Sequence, residues 1–486
     1  MNVLAIDQGT SATKALLAGP GGEVLGQAEV PVRTRSVGAD GVLGIEADPE
    51  ELFGSVVEAG RRTLAAAGGP ARGAVAHAVA LANQGETVLA WDRRTGRPLT
   101  PAIVWQDRRS AGVCARLAGR AAELTALTGL PLDPYFAAPK MTWLRENLTA
   151  RGVVTTTDTW LLHRLGAGYV TDAATASRTL LLDLDRAAWS EAACAAFGLD
   201  PATLPAVTDC AGVVGETSVF GGSLPVAGIA VDQQAALLAE GCLAAGDAKC
   251  TYGTGAFLLV TTGSRAARSG AGLSCSVAWQ LAGAVTYCLD GQVYTAGSAL
   301  RWLTETGLLD EPAALDATAG SVPDTGGVTF VPALAGLGAP YWAPDARGAL
   351  SGLHLGTTRG HIVRAVAEGI AASVALLASA AVADLGHPLA SLRVDGGLTR
   401  SRLLMQAQAD LLQVPVLICR SPDATALGVA ALARLGTGQA ASVAEAVKGL
   451  GAAEVETTVE PSITANQAAE RMALFLAAVD RVLARR

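Results

Sequence analysis

Residues 3–17, VLAIDQGTSATKALL, form a short apolar strand, a turn of glycine and hydroxyl residues, and a second apolar strand. The same order returns near residue 250, where TYGTG at residues 251–255 leads into AFLLV at residues 256–260. Two such units indicate two halves of related design. Two unrelated glycine turns would give the same pattern by chance, and the pattern alone leaves that alternative open.

Strand-like and helical runs alternate along the chain, which predicts an α/β fold. After the first two strands a helical stretch covers residues 50–67, and an apolar strand covers residues 75–82. At about 150 residues per domain, 486 residues allow about three domains or two large ones. We place one boundary near residue 240, which gives domains 1–240 and 241–486.

The charge and cysteine content exclude several classes of protein. The 36 lysines and arginines and 44 acidic residues give a net charge of −8, which repels a nucleic-acid backbone, so we expect no nucleic-acid partner. The eight cysteines form no C-x-x-C pair and predict small buried side chains instead of disulfides or a zinc site.

Nothing in the sequence predicts export or a membrane span. Residues 1–14 lack the basic start, apolar stretch and cleavage site of a secretory signal, so we expect a cytoplasmic protein. The longest charge-free apolar stretch, residues 369–383, is shorter than the roughly 18 to 20 residues that cross a bilayer. We predict that it is a buried helix.

The first turn has the composition of a phosphate-binding loop. Gly9 allows close approach of the backbone, Thr10 and Ser11 offer N–H and hydroxyl donors, Lys14 offers charge, and Asp7 can hold Mg²⁺ through water. A polar hairpin turn would have the same composition, and no Walker A sequence occurs in the chain.

A second candidate is the carboxylate in GIAVDQQ, residues 228–234. Asp232 follows an apolar strand and precedes the helical run at residues 235–239, so it can lie at the mouth of a cleft. There it can accept the proton of a substrate hydroxyl as that oxygen attacks phosphorus. The alternative is an ordinary helix N-cap.

Polar residues and an aromatic residue form a third group, in NQGET at residues 83–87 and WQDRR at residues 105–109. Polyol recognition needs directional donors and acceptors together with an aromatic face, although solvated loops also have this composition. A weaker signal is LRVDGGL at residues 392–398, where a double glycine allows close approach to a base or phosphate or simply turns the chain into a helix.

Together these segments resemble the FGGY carbohydrate kinase family, and within it the members that phosphorylate glycerol. The resemblance spans nearly the whole chain. It rests on IDQGT (6–10), AIVWQDR (102–108), PYF (134–136) with Lys140 and Trp143, DTWLL (158–162), TD (171–172) with ASR (176–178), DQQAAL (232–237), TYGTG (251–255), GAPYWAP (338–344) with Arg347 and Gly348, GALSGL (348–353), VDGG (394–397) and TALG (425–428).

The resemblance implies an α/β fold of two actin-like (ribonuclease H-like) domains with ATP and substrate in the interdomain cleft, and a homodimer or tetramer. It assigns the general base to Asp232 and the carboxylates beside Mg²⁺ to Asp7 and Asp232. The positions matching nucleotide contacts are Thr10, Ser11, Lys14, Thr254, Gly297, Arg301, Gly397 and Ser401. The positions expected to surround the polyol are Gln84, Glu86, Trp105, Tyr135, Asp232, Gln233 and Phe257.

Several positions depart from the family pattern. Gly85 stands where glycerol-phosphorylating members carry an arginine that hydrogen-bonds the substrate, so a longer polyol or a ketose could fit. The other departures are Ala12 for a hydroxyl residue, Lys14 for arginine, Arg301 for glutamine, Ser401 for asparagine, and Ala137 and Pro139 beside Lys140.

We therefore expect an ATP-dependent kinase that phosphorylates a terminal hydroxyl of a small polyol, with glycerol the leading substrate. One rival is a kinase for a pentulose or a four- or five-carbon alditol, which Gly85 favours. A rival of a different class is an actin-like ATPase switch without a small acceptor, and a catalytically weak sensor is a third. Gln84, Glu86, Trp105 and Tyr135 argue against the switch because it needs no polyol pocket.

Overall fold

The computed structural model describes residues 1–38, 44–69 and 75–484. Strands and helices alternate along the chain, as the sequence predicts. The strands are β1 (Val3–Gln8), β2 (Ala12–Ala18), β3 (Val24–Pro31), β4 (Thr34–Val37), β5 (Gly44–Ala47), β6 (Ala78–Asn83), β7 (Val88–Trp91), β8 (Ala102–Ile103), β9 (Val153–Thr156), β10 (Val170–Asp172), β11 (Leu182–Asp183), β12 (Ala188–Trp189), β13 (Ala206–Thr208), β14 (Ala211–Thr217), β15 (Leu224–Val231), β16 (Ala248–Tyr252), β17 (Ala256–Gly263), β18 (Ser274–Leu281), β19 (Ala284–Val293), β20 (Thr329–Val331), β21 (Ala349–Ser351), β22 (Leu392–Asp395), β23 (Val416–Cys419) and β24 (Val455–Val459).

The helices lie between and around these strands. They are α1 (Pro49–Ala66), α2 (Ala111–Arg116), α3 (Ala121–Thr128), α4 (Ala137–Asn147), α5 (Thr157–Leu165), α6 (Ala173–Ser177), α7 (Glu191–Ala196), α8 (Asp232–Ala239), α9 (Gly297–Glu305), α10 (Leu315–Ala319), α11 (Arg359–Leu385), α12 (Arg402–Leu412), α13 (Ala424–Gly436), α14 (Val443–Val447) and α15 (Ala465–Leu483).

Two large mixed sheets share one plan. The first has the order β14-β15-β6-β1-β2-β3, and the second has the order β18-β19-β17-β16-β22-β23-β24. In each sheet three neighbouring strands are parallel, namely β15, β6 and β1 in the first and β16, β22 and β23 in the second, and the other pairs are antiparallel. This repeated order confirms the prediction of two related α/β halves and the actin-like design that the family resemblance implies.

Parallel register places the ends of three strands of the first sheet at one edge. Asp7 pairs with Ala82, and Val231 pairs with Asn83. The strands β1 and β6 are buried on both faces, which explains why their sequences are continuous apolar runs without polar alternation. The polar residues that follow these runs therefore lie at the carboxyl edge of the sheet, where α/β folds place their ligands.

A smaller antiparallel sheet, of order β4-β5-β8-β7-β9, lies within the first half of the chain. It supports the loop after β8, from which Trp105 and Gln106 project toward the carboxyl edge of the first sheet. The loop before α4 carries Tyr135. Trp105 and Tyr135 of the predicted polyol site therefore lie on segments anchored to buried secondary structure.

The long apolar helix α11 lies inside the second half. It is long and apolar enough to cross a membrane by length and composition alone, but 72% of its most apolar window is buried within the fold. The buried part includes most of residues 369–383, which confirms the prediction of a buried helix. The cysteines are all free thiols, and all except the half-buried Cys114 are buried, as predicted.

Helix α13 belongs to the second half of the sequence but packs on the first sheet and on α8. The contact is close enough to require glycine. A Cβ atom at Gly428 would lie 2.0 Å from the carbonyl oxygen of Ala235, and one at Gly228 would lie 2.5 Å from the carbonyl oxygen of Val429. The helix therefore ties the second half of the chain to the strand end that carries Asp232.

This contact gives a stability prediction. Gly428→Ala should lower the free energy of unfolding by about 1–3 kcal/mol, because the added methyl group forces two backbones apart. The control is Gly54→Ala on α1, where the site of the Cβ atom is open, and there we expect a gain of about 0.5–1 kcal/mol. Denaturant unfolding of both variants measures the difference, and equal midpoints would contradict the packing described.

Candidate functional site

A cavity of about 360 Å³ lies where the carboxyl edges of the two sheets meet. The first half contributes the turn after β1, the loops after β6 and β8, and the start of α8, while the second half contributes the turn after β16 and α9. The lining residues are Thr10, Ser11, Thr34, Gln84, Gly85, Glu86, Trp105, Gln106, Tyr135, Asp232, Gln233, Thr251, Gly253, Thr254, Phe257 and Arg301.

The structure brings most of the predicted site residues to this cavity. All seven predicted polyol-site residues line it, together with Thr10, Ser11, Thr254 and Arg301 of the predicted nucleotide set. Asp7, Lys14, Gly297, Gly397 and Ser401 do not line it. Thr34 and Thr251 line it although the sequence analysis did not assign them to the site.

The turn after β1 is tied to the polyol side by hydrogen bonds. The N–H of Gly9 donates to the carbonyl of Ala12 at 3.0 Å and closes the turn. The indole N–H of Trp105 donates to Oγ1 of Thr10 at 2.9 Å, and that hydroxyl donates to Oε1 of Gln84 at 3.1 Å. The phosphate-loop candidate and the polyol candidate are therefore parts of one connected network.

Three aromatic rings form one wall of the cavity. The ring centroid of Trp105 lies 5.7 Å from that of Tyr135 and 6.0 Å from that of Phe257, in edge-to-face arrangements. Phe257 comes from the second half, so the wall exists only when both halves are in contact. Buried Lys140 fixes the Tyr135 loop, since its ammonium donates to the carbonyls of Pro134, Tyr135 and Phe136.

Glu86 is held rigidly at the base of the cavity. Its backbone has a φ of +56°, which a non-glycine residue adopts only when its surroundings enforce it. Its carboxylate accepts from Nε of Arg178 at 2.7 Å, and Arg178 also contacts Oδ2 of Asp290 at 2.8 Å. Burial raises the pKa of Glu86 to about 7, while the Arg178 charge acts in the opposite direction.

The sequence analysis did not assign Arg178 or Asp290 a role in the site. Asp290 lies in β19, on the second half, so the ion network joins the two halves below the cavity. The sequence does carry one signal for Asp290, which is the single carboxylate in the mostly apolar run YCLDGQV at residues 287–293. A charge buried in such a run needs a partner.

Asp232 is the first residue of α8, and the capping position is taken by Val231, so the N-cap alternative does not describe it. Its Oδ1 accepts from the N–H of Gln233 at 2.7 Å. Burial raises the pKa of Asp232, and that hydrogen bond and the charge of Lys249 act against the shift. The carboxylate is thus desolvated but still oriented, which suits a group that accepts a proton.

Asp7 lies near Asp232 at the carboxyl edge of the first sheet. Burial first, and then the negative charge of Asp232, raise the pKa of Asp7 to about 7. Lys14, paired with Asp7 in the strand register, acts in the opposite direction, and its Nζ lies 4.0 Å from Oδ1 of Asp423.

Two neighbouring carboxylates fit Mg²⁺, which is usually held by one or two carboxylates, waters and substrate phosphates. The described residues contain no group of three or more side chains that would hold a metal by themselves. Asp7 and Asp232 therefore suit a cation that arrives with a phosphate-bearing substrate.

On the second half, the turn after β16 is held against α9. The N–H of Gly297 donates to the carbonyl of Gly253 at 3.0 Å, and a Cβ atom at Gly297 would lie 2.7 Å from that oxygen. Space beside Gly397 is open. Ser401 is engaged within the chain, because its hydroxyl caps α12 by accepting from the N–H of Leu404 at 3.1 Å and donates to Asp316.

The neighbouring carboxylates predict a pH-dependent stability. The pKa of Asp7 is raised in the folded state, so its neutral form stabilises the fold at low pH and this contribution is lost as the pH rises to about 7. The D7N variant without ligands should therefore be more thermostable than the wild type at about pH 8, with a smaller difference toward pH 5. Thermal unfolding of both proteins across this range, with the exposed-site variant D345N as control, measures it. A difference that grows as the pH falls would contradict the assignment.

Comparisons with known proteins agree with this geometry. Models of the FGGY family of carbohydrate kinases match the chain, the N-terminal domain over residues 2–239 and the C-terminal domain over residues 248–436. A glycerol kinase of Thermus brockianus is 46% identical over 451 residues, which cover 90% of both chains.

Solved structures share the whole fold. The structure of Plasmodium falciparum glycerol kinase with ADP has a TM-score of 0.89 and 29% identity, covering 99% of this chain and 98% of that one. A xylulose kinase from Rhodospirillum rubrum has a TM-score of 0.85 and 25% identity and covers 99% of each chain. With both family models matched and a relative this similar along most of its length, the chain belongs to the FGGY family of carbohydrate kinases.

Proposed function

We propose that this protein transfers the γ-phosphoryl group of ATP to a terminal hydroxyl of glycerol, giving glycerol 3-phosphate. The observation that carries the proposal is the position of Asp232, a half-buried carboxylate at a strand end that lines the same cavity as the aromatic wall and both glycine turns. Relatives named glycerol kinase, at 46% and 44% identity over about nine-tenths of the chain, support the choice of acceptor. ATP use follows from membership in a kinase family.

The acceptor would lie between the aromatic wall and the polar residues opposite it. The C–H groups of a polyol suit the faces of Trp105 and Phe257, and its hydroxyls suit the carboxylates and amide of Glu86, Asp232 and Gln233. Glu86 is held by Arg178 and cannot turn away, so it offers a fixed acceptor. Such fixed hydrogen-bond partners would hold one terminal hydroxyl of the polyol toward the turns that would bind the phosphates.

Asp232 would accept the proton of that hydroxyl as its oxygen attacks the γ-phosphorus. Its desolvation favours proton uptake, because burial disfavours the charged carboxylate. Thr10, Ser11 and Thr254 lie on the two turns that would hold the phosphates, and Arg301 adds positive charge at the cavity edge. Mg²⁺ beside Asp7 and Asp232 would neutralise charge that develops on the transferred group.

We further propose that domains 1–240 and 241–486 close over the substrates. The aromatic wall and the Glu86–Arg178–Asp290 network each need residues from both halves, so a complete acceptor site requires the closed arrangement. Closure also excludes water, which would otherwise compete as the acceptor. A homodimer or tetramer and a cytoplasmic location stay predictions.

The proposed base gives a kinetic prediction. Asp232→Asn should lower kcat with glycerol by about 10² to 10⁴, because the amide cannot take the proton, while folding and nucleotide binding persist. Coupled ADP release measures kcat, and equilibrium binding of the nucleotide is the internal control. The variant D345N controls for loss of one carboxylate at an exposed site. Near-full turnover by D232N would contradict the role of Asp232.

A pentulose or a longer alditol is the second candidate acceptor, and Gly85 favours it. The position lines the cavity without a side chain, so space and donors that an arginine would occupy are free for substrate. Comparing kcat/KM for glycerol, four- and five-carbon alditols and xylulose separates the two candidates. ATP turnover that no acceptor stimulates would favour the actin-like switch instead.

The role of Gly85 can be tested by restoring the arginine. A Cβ atom there would lie 3.0 Å from Cγ2 of Val231, a contact that a small shift relieves. Gly85→Arg should lower KM for glycerol by about tenfold, through hydrogen bonds from a charged donor, and should weaken turnover of longer acceptors. The matched control is Gly85→Ala, which adds the same Cβ atom without donors. Equal acceptor preference in G85R and the wild type would show that position 85 does not set specificity.

A further inference from the structure

Lys249 is a buried lysine at the junction of the two halves. It lies on β16, its side chain is fully buried, and its Nζ donates to Oε1 of Gln233 at 2.7 Å and to Oγ1 of Thr251 at 2.7 Å. Gln233 belongs to α8 of the first half, and Thr251 follows Lys249 by two residues on the same face of β16. One ammonium therefore connects a residue from each half, and both residues line the cavity.

The contact with Lys249 decides which way the Gln233 amide faces. An ammonium has only donors, so it must meet the carbonyl oxygen of the amide and not the NH₂ group. The NH₂ group therefore does not face Lys249, and the side chain that carries it lines the cavity. Without Lys249 the amide can rotate by half a turn and present an acceptor in its place.

The ammonium also lies among carboxylates of both halves, and its charge opposes the effect of burial on each of them. Glu240 and Asp395 each have a buried carboxylate oxygen to which no described residue gives a hydrogen bond, and the charge of Lys249 acts to lower the pKa of each.

We propose that Lys249 is a positioning residue for phosphoryl transfer, which orients the Gln233 amide toward an acceptor hydroxyl. The inference rests on the proposed kinase function and adds to it a residue that touches no substrate. It also gives a reason for the lysine in the mostly buried strand β16, where a charge needs several polar partners to be tolerated.

A double-mutant cycle tests the link to Gln233. Lys249→Met and Gln233→Met are made singly and together, and kcat/KM for glycerol is measured for each. Lys249→Met alone should cost about 10²-fold, the effect of a misplaced binding group. In the Gln233→Met background the same change should cost much less, because the amide that it positions is already absent. Additive effects would overturn the proposal.

The outcomes separate this inference from the proposed function. A wild-type protein that phosphorylates neither polyols nor ketoses overturns both. A wild-type protein that phosphorylates glycerol and loses activity in D232N, but shows additive effects in the cycle, overturns only the role of Lys249. If K249M does not fold, the cycle is run with K249R, whose wider head group should displace the amide and raise KM in the wild-type background but not in Q233M.

Discussion

The parallel pairing of β15, β6 and β1 is the constraint on which the site depends. Its register places Asp7 and the strand end before Asp232 at one edge of the first sheet, close enough that the charge of Asp232 opposes ionisation of Asp7. A fold gains nothing in stability from such an arrangement. The two neighbouring carboxylates therefore lower the stability of the fold locally, and the packing of the buried strands beneath them offsets this loss. A cation bound together with phosphates would reduce the repulsion between them.

Buried charges of opposite sign join the halves below this edge. Arg178 holds Glu86 and Asp290, while Lys249 holds Gln233 and lies near Asp232. Each cation is satisfied only when both halves are in place, because its partners are divided between them. The contacts that make these buried charges tolerable also hold Glu86 and Gln233 of the proposed acceptor site in place.

Close backbone packing makes this arrangement stiff. Helix α13 approaches α8 at Gly428, and Thr425 of the same helix donates to the backbone carbonyl of Asp232. The strand end that carries the proposed base is therefore held by a helix from the other half of the sequence. This contact fixes the start of α8, where Asp232 lies, against α13.

The sequence by itself determined the two glycine turns, the apolar strands that precede Asp7 and Asp232, and the aromatic and polar types of the acceptor side, because these follow from local pattern and residue chemistry. It did not reveal that Arg178, Lys249 and Asp290 meet those residues, nor that Ser401 is occupied by a helix cap. Such partners lie far apart along the chain and carry no local signal beyond a lone charge in an apolar run. Only the tertiary structure decided these contacts, because each charge is buried in an interior that both halves form and needs a polar partner there.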